Sequence, residues 1–545
     1  AAGAVPTHGR QEQGGADMRD FFRPGRGPTL AGQAAIATSH PLATAAGLEI
    51  LASGGNAVDA ALAAVAVQCV VEPHMTGIGG DCFVLYAPAS GEVLALNGSG
   101  RAPAAASVAR LRELGVSTIE RTSPHAVTVP GAVAAWTKLH RDHGSLPLER
   151  LFARAIAYAE EGYPVTARVA LDWAAEAPLL ARDAGAKAVY LPGGRAPTEG
   201  ERHAQPLLGQ RLSEIAREGA SAFYLGRTAE SLVRFLNGLG GLHTLDDFAA
   251  AVDGADYVTP IVTSYRGYEV YECPPNGQGL AALMMLNVLA GFDLSEKLPL
   301  VERVHLHAEA TKLAYHHRDA LIADPAHLPY PVEQLLSDEV AQALRGRIDM
   351  ERAGAPVLWH EPEHRDTVYL CAVDRDGNAI SFINSIFHAF GSTRLDPETG
   401  IVLHNRGASF NLVEGHPNAI GPRKRPMHTI IPGLLRRGGR TVAPFGVMGG
   451  HYQAAGHAAF LSGLLDRGLD VQAALDAPRS FAFNGVLEVE PTLGEGVIAA
   501  LAARGHDVRL RGTPLGGGQA IWIDHARGVL HAGSDQRKDG CALGL

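Results

Sequence analysis

One boundary limits what this 545-residue chain can fold into more than any other feature. Residues 347–365 mix Pro, His, Glu and Arg with no sustained period, and a β-pattern starts abruptly at Thr367. Residues 367–373 and 379–386 are both apolar and β-favouring, and Asp374-Arg375-Asp376-Gly377-Asn378 lies between them. Its Asp-Gly pair is a strong turn signal, so the two runs predict a hairpin. Strands pair residue by residue, so joining Val373 to Ala379 sets Ser385 opposite Thr367. Two hydroxyls then face each other at the open end of the hairpin. The irregular run just before them is a candidate processing linker.

The rest of the chain predicts an α+β layered fold. Residues 45–51 are helical in composition and stop at Gly54-Gly55; Asn56 then reads as the N-cap of a second helix, with Asp59 at its third position. Short apolar runs at 81–87 and 93–97 flank Pro-Ala-Ser-Gly and predict a hairpin. Residues 125–350 are mostly helical by periodicity, with strands returning near 258–273. Late, consecutive strands beside long helices favour layers over an alternating parallel sheet. Residues 1–17 read as a tag or upstream leftover, and the Gly/Pro/Arg-rich 18–33 as a surface arm, so the fold is expected to begin near Ala34.

Composition excludes several classes of function. Apolar residues make up 46% and charged residues 19%, the balance of an ordinary globular chain. A net charge of −10 without long like-charge runs argues against nucleic acid as a partner. No uninterrupted apolar run is long enough to span a membrane, since Asp59 and Gln68 break the best candidate. Five cysteines without CxxC spacing indicate neither a disulfide framework nor a zinc ribbon and fit reduced thiols in the cytoplasm. His305, His307, Glu309, His316 and His317 invite a metal reading, but only His305 and Glu309 share a helix face, and a structural helix is the expectation. Gly77-Ile78-Gly79-Gly80 lacks the features of a phosphate loop and is expected to let backbone pack closely. No GxSxG elbow is present, and Cys371, on the face of Thr367, has no recognisable base and reads as core.

A threonine hydroxyl is a poor nucleophile unless a base sits beside it. A threonine at a chain terminus carries its own base, the free α-amino group, whose ordinary pKa of about 8 lies near working pH. Taken alone, a Thr opening a strand is ordinarily structural. The wider pattern changes that reading. Residues 47–59 (GLEILASGGNAVD), 72–80 (EPHMTGIGG), 367–390 with their VDRDGNA turn, 446–450 (GVMGG) and 516–540 stand in an order that resembles the γ-glutamyltranspeptidase family. The resemblance implies a four-layer αββα N-terminal-nucleophile (Ntn) hydrolase. It implies self-cleavage between Asp366 and Thr367 into 1–366, of which 34–366 is the large subunit, and a small catalytic subunit, 367–545. It implies γ-glutamyl transfer or hydrolysis through an acyl-enzyme, with no cofactor. The partners it implies are a small-molecule amide, water or an amine as acceptor, and the precursor's own two fragments; a homo-oligomer is left open.

By the same resemblance Thr367 matches the nucleophile, Ser385 the supporting hydroxyl, and Gly449 and Gly450 the glycines whose N–H groups stabilise the oxyanion. The departures fall where the glutamyl group would be held. Arg406 and Ser409 stand where the family has a Gln and an Asp on the substrate α-amino group. Phe387 replaces an Asn, and His428 and Thr429 replace paired serines. Ser99 stands where the family has an Arg on the α-carboxylate, with Arg101 two positions on. An arginine fork suits a carboxylate, so Arg101 and Arg406 fit an acid without an α-amino group, such as oxamate or a glutaryl amide. Structural pairing of both arginines is the alternative. A further alternative is an uncleaved, non-catalytic binding protein.

Overall fold

In the computed structural model, which describes residues 25–355 and 367–545, the strands Val368–Val373 and Ala379–Ser385 pair antiparallel in the predicted register, Val373 with Ala379 and Val368 with Asn384. One buried carboxylate organises their turn. Asp374 Oδ1 accepts the N–H groups of Asp376 and Asn378, both at 3.0 Å. Its Oδ2 accepts the Ala57 N–H at 2.9 Å, which joins the turn to the start of the helix Ala57–Val71. That helix begins as the sequence predicts, with Asn56 as N-cap and a reciprocal capping box to Asp59. All 15 of its residues are buried, and its Ala/Val composition lets it lie close beneath the hairpin.

Period-two alternation along the strands then builds the layers. Leu370, Ala372 and Phe382 face the helices, in one core with Val58, Leu62 and Val65. Tyr369, Cys371, Val373 and Ile383 face the other way and meet Leu434 and Ile521 of a second sheet, with Ile430 just before its strand Gly433–Arg437. The far side of the second sheet, with Leu435, Phe445 and Val447, packs on Leu283, Leu306 and Leu461 of the helices Gly279–Leu289, Leu300–Leu321 and Tyr452–Leu465. Each sheet has seven strands, and the chain is an αββα sandwich of α+β class.

Thr29–Ala31, expected in a surface arm, instead pairs as an edge strand with Val529–Ser534, Thr29 opposite Ala532. Backbone groups make that pairing, so the Gly- and Pro-rich composition around it carries little sign of it. The second hairpin pairs Asp81–Ala87 with Leu94–Gly98. Strands return at Asp256–Val258, Ile261–Tyr265 and Tyr268–Glu272. No helix among the described residues is long and apolar enough to cross a membrane.

The Asp374 contacts generate a prediction. Asp374→Ala strands buried N–H groups on both the turn and the helix, and is expected to cost about 2–3 kcal/mol. Exposed Asp376→Ala in the same turn is expected to cost under about 0.5 kcal/mol. Urea midpoints of the two variants read the difference, and equal losses would show that Asp374 does not anchor the turn.

Candidate active site

The hairpin register delivers Thr367 to Ser385. Thr367 is fully buried, and its Oγ1 lies 3.1 Å from Ser385 Oγ, where either hydroxyl serves as donor. Ser385 Oγ also accepts the Phe387 N–H at 2.9 Å. Phe387 has φ 80°, a conformation that large side chains rarely adopt, and it turns the chain sharply after the strand. Close packing nearby depends on glycine: a Cβ on Gly80 would stand 2.3 Å from the Ser385 carbonyl oxygen, and one on Gly79 2.2 Å from that of Val402. Asp366, the other half of the expected cleavage pair, lies outside the described residues.

Gly449 and Gly450 sit between the strand Arg440–Met448 and the helix Tyr452–Leu465. Their φ values of 123° and 59° suit glycine, and a helix N-terminus stabilises negative charge. Tyr452 N–H donates to Gly449 O at 3.1 Å, and Gln453 N–H to Gly450 O at 3.2 Å. The pair thus joins the strand Arg440–Met448 directly to a 14-residue helix.

The substituted positions divide into two groups. Arg406 is buried, stacks its guanidinium 3.6 Å over the Phe387 ring and donates from Nη2 to Thr429 Oγ1 at 3.0 Å. A stacking of this kind is worth about 2 kcal/mol when desolvated. Arg406, Phe387, Ser385 and Thr367 therefore form one continuous chain of contacts. Ser409 turns away, donating to the Arg406 and Met427 carbonyls. Arg101 is held elsewhere. It is 42% exposed, pairs with Asp256 and Asp324 at 3.7 and 3.6 Å, and makes no contact with Thr367 or Ser385 among the described residues.

His428 belongs to a buried acid-imidazole network. Its Nε2 lies 2.9 Å from Asp81 Oδ2, and Asp81 is paired opposite Ser385 in the sheet. Asp81 Oδ1 accepts the Gly100 and Gly131 N–H groups at 2.9 and 3.0 Å. Burial alone would raise its pKa; the adjacent His404 and His428 rings and the Gly100 amide outweigh it and hold Asp81 below the usual carboxylate range. Burial moves His428 downward, so its neutral ring donates to an ionised Asp81.

Sequence reading missed three residues here. Gln278 Nε2 donates to both Thr429 O at 2.7 Å and Gly450 O at 3.0 Å, tying the substituted segment to the glycine pair. Its Oε1 accepts from Arg318 Nη1 at 2.8 Å, and the same nitrogen lies 3.0 Å from His451 Nδ1. The turn-dense run 274–279 before an apolar helix marks Gln278 in retrospect; Arg318, mid-helix, has no local signal.

A sequence profile described as Gamma-glutamyltranspeptidase matches residues 43–545. The chain belongs to the γ-glutamyltranspeptidase family. It is 38% identical to the glutathione hydrolase-like YwrD proenzyme of Bacillus subtilis, over 94% of this chain and 98% of that protein. It is 36% identical to the oxamate amidohydrolase proenzyme of Klebsiella pneumoniae, over 93% and 97%. Among solved structures it resembles a cephalosporin acylase from Bacillus halodurans, with a TM-score of 0.90 and 40% identity over 97% of this chain and 99% of that one. The chain is accordingly an enzyme, an Ntn-type amidohydrolase or acyltransferase of a family whose members are made as proenzymes. A threonine nucleophile is typical of that family.

Buried histidines, one of them next to Phe387, make the fold acid-sensitive. Burial, reinforced by Arg121, pushes His388 down to about 3, and burial pushes His40, His203, His243 and His307 down to about 4. Each stays neutral in the folded chain where it would take up a proton if unfolded, below about 6.5. The unfolded chain binds more protons there, so this stability is present above about pH 6.5 and is lost as pH falls toward the folded values. Each ring contributes up to about 1.4 kcal/mol per pH unit. Urea midpoints are expected to fall between about pH 7 and pH 5, and a flat profile would contradict neutral burial of these rings.

Proposed function

We propose that Thr367, released as a chain terminus by a cut after Asp366, is the nucleophile that opens an amide bond. Its α-amino group takes the hydroxyl proton as Oγ1 attacks the carbonyl carbon. Ser385 Oγ, 3.1 Å away, holds the hydroxyl in place. The tetrahedral oxygen gathers negative charge beside the amides of Gly449 and Gly450, at the start of the helix Tyr452–Leu465. Collapse breaks the C–N bond, and the proton passes to the leaving amine. Water or an amine then attacks the acyl-enzyme. The two working parts are the chain up to residue 366, which enters the fold by the edge strand Thr29–Ala31, and the small subunit, 367–545.

The preferred acyl group carries a carboxylate and lacks an α-amino group. Arg406 supports this reading: a buried guanidinium stands in contact with Phe387 and Thr429, where an ammonium-binding pocket needs acceptors. A cation there repels a glutamyl α-ammonium and attracts a carboxylate. The names of two relatives, an oxamate amidohydrolase and a cephalosporin acylase, are consistent with it. Arg101, paired with Asp256 and Asp324, drops out of the pocket.

Three measurements test the proposal. Thr367→Ala is expected to leave one full-length band and no turnover; activity surviving the change would sink the assignment. Glutaryl- and γ-glutamyl-p-nitroanilide differ only in the α-amino group, and the glutaryl compound is expected to show the higher kcat/KM by about tenfold or more. Arg406→Leu is expected to lower the glutaryl value about 10- to 100-fold, the loss of a charge-assisted hydrogen bond, and to narrow the preference. Equal turnover of both compounds by the unaltered protein would overturn the substrate class while leaving the Thr367 assignment standing.

A further inference from the structure

Apart from the groups around Thr367, one cluster of ligand-type side chains gathers on the helix Leu300–Leu321. His305 and Glu309 are buried one turn apart on it. His506, from the turn after the helix Glu495–Ala503, comes in from a distant part of the sequence. One ligand atom from each lies within 4.8 Å of the other two. His305 Nδ1 and His506 Nε2 are 2.8 Å apart, and Glu309 Oε1 is 3.9 Å from His506 Nε2. We propose that His305, Glu309 and His506 form a binding site for a divalent zinc-type cation that ties the segment before the Thr367 boundary to the segment after it.

The surrounding bonds already aim the ligands. His305 Nε2 lies 2.8 Å from the Asp349 carbonyl, which keeps the proton on Nε2 and turns the Nδ1 lone pair toward His506. Ligand histidines are oriented by such outer bonds. Glu309 is fixed in the same way, since its Oε2 accepts the Gly354 N–H at 3.0 Å while Oε1 points at the centre. Two imidazoles and a carboxylate are a zinc donor set, and atoms bound tetrahedrally at zinc distances stand about 3.3 Å apart. The His305–His506 pair parts by about half an ångström and Glu309 moves inward to meet that spacing.

Without the cation, two bonds fill the centre. The imidazoles bond each other, and the Lys312 ammonium pairs with Glu309 Oε1 at 2.6 Å. Zinc replaces both. The His506 proton moves from Nε2 to Nδ1, so the ring stays neutral, and Lys312 leaves Glu309 while keeping its bond to Gly354 O at 2.8 Å. A cleft lined by Lys312, Gly354, Phe483, Leu487, Gly505 and His506 provides the route in and solvent for a fourth ligand.

The site lies where the chain departs toward the processing linker. Ala353 N–H donates to Arg504 O at 2.8 Å, and Arg504 Nε donates to Met350 O at 3.1 Å, just beside His506. The cation therefore fastens residues 349–354 to the turn 504–506, whether or not the chain is cut.

Calorimetric titration of the chelator-stripped protein with Zn²⁺ alone tests the site. One equivalent is expected to bind, with affinity reduced about tenfold or more in His506→Ala and in Glu309→Gln. Lys312→Met keeps all three ligands and removes the competing ammonium, so it is expected to bind more tightly. Co²⁺ in place of Zn²⁺ is expected to show the strong visible bands of a tetrahedral site. Absence of binding would overturn the proposal, as would zinc affinity unchanged in His506→Ala and Glu309→Gln, which would assign the cation to other histidines. If those two variants fail to fold, Lys312→Met decides: tighter binding supports the site, and unchanged or weaker binding overturns it.

Discussion

Everything around Thr367 depends on the register of one hairpin. Side chains on a strand alternate faces, so a slip of one residue would turn Thr367 and Ser385 out of the space between the sheets and into the helical layer. Asp374 prevents the slip by bonding its own turn and the first amide of the buried helix Ala57–Val71 at once. A contact at one end of the hairpin thereby sets hydroxyl geometry at the other.

Glycine plays the complementary part at the open end. Gly79 and Gly80 let one loop lie against the Val402 and Ser385 carbonyls, and Gly449 and Gly450 turn a strand directly into a helix. Close backbone approach thus holds parts of the chain far apart in sequence against one another. Gln278 fastens the arrangement from outside, with bonds to both Thr429 and Gly450.

The side chains near Ser385 depend on one another. Phe387 supplies an aromatic face, Arg406 stacks on it, Thr429 receives the guanidinium N–H, and His428 gives its N–H to Asp81. A buried guanidinium needs a face and an acceptor, and the neighbouring positions provide both.

How much was legible before the fold was known varied with the range of the interaction. The hairpin, its register, the Thr367–Ser385 pair and the Asn56–Asp59 cap rest on contacts within about twenty residues, where turn chemistry and strand alternation act directly. The ordered order of motifs pointed to the family and to its layered fold. The edge strand Thr29–Ala31 was hidden because backbone pairing leaves little mark on composition. Arg101 and Arg406 looked alike in sequence; the fold gave one to Asp256 and Asp324 and the other to Phe387. His305 and Glu309 read as one face of an ordinary helix until His506 arrived beside them. Local bonding is written in neighbouring residues, whereas which charges and lone pairs meet across long separations is decided only when the layers pack.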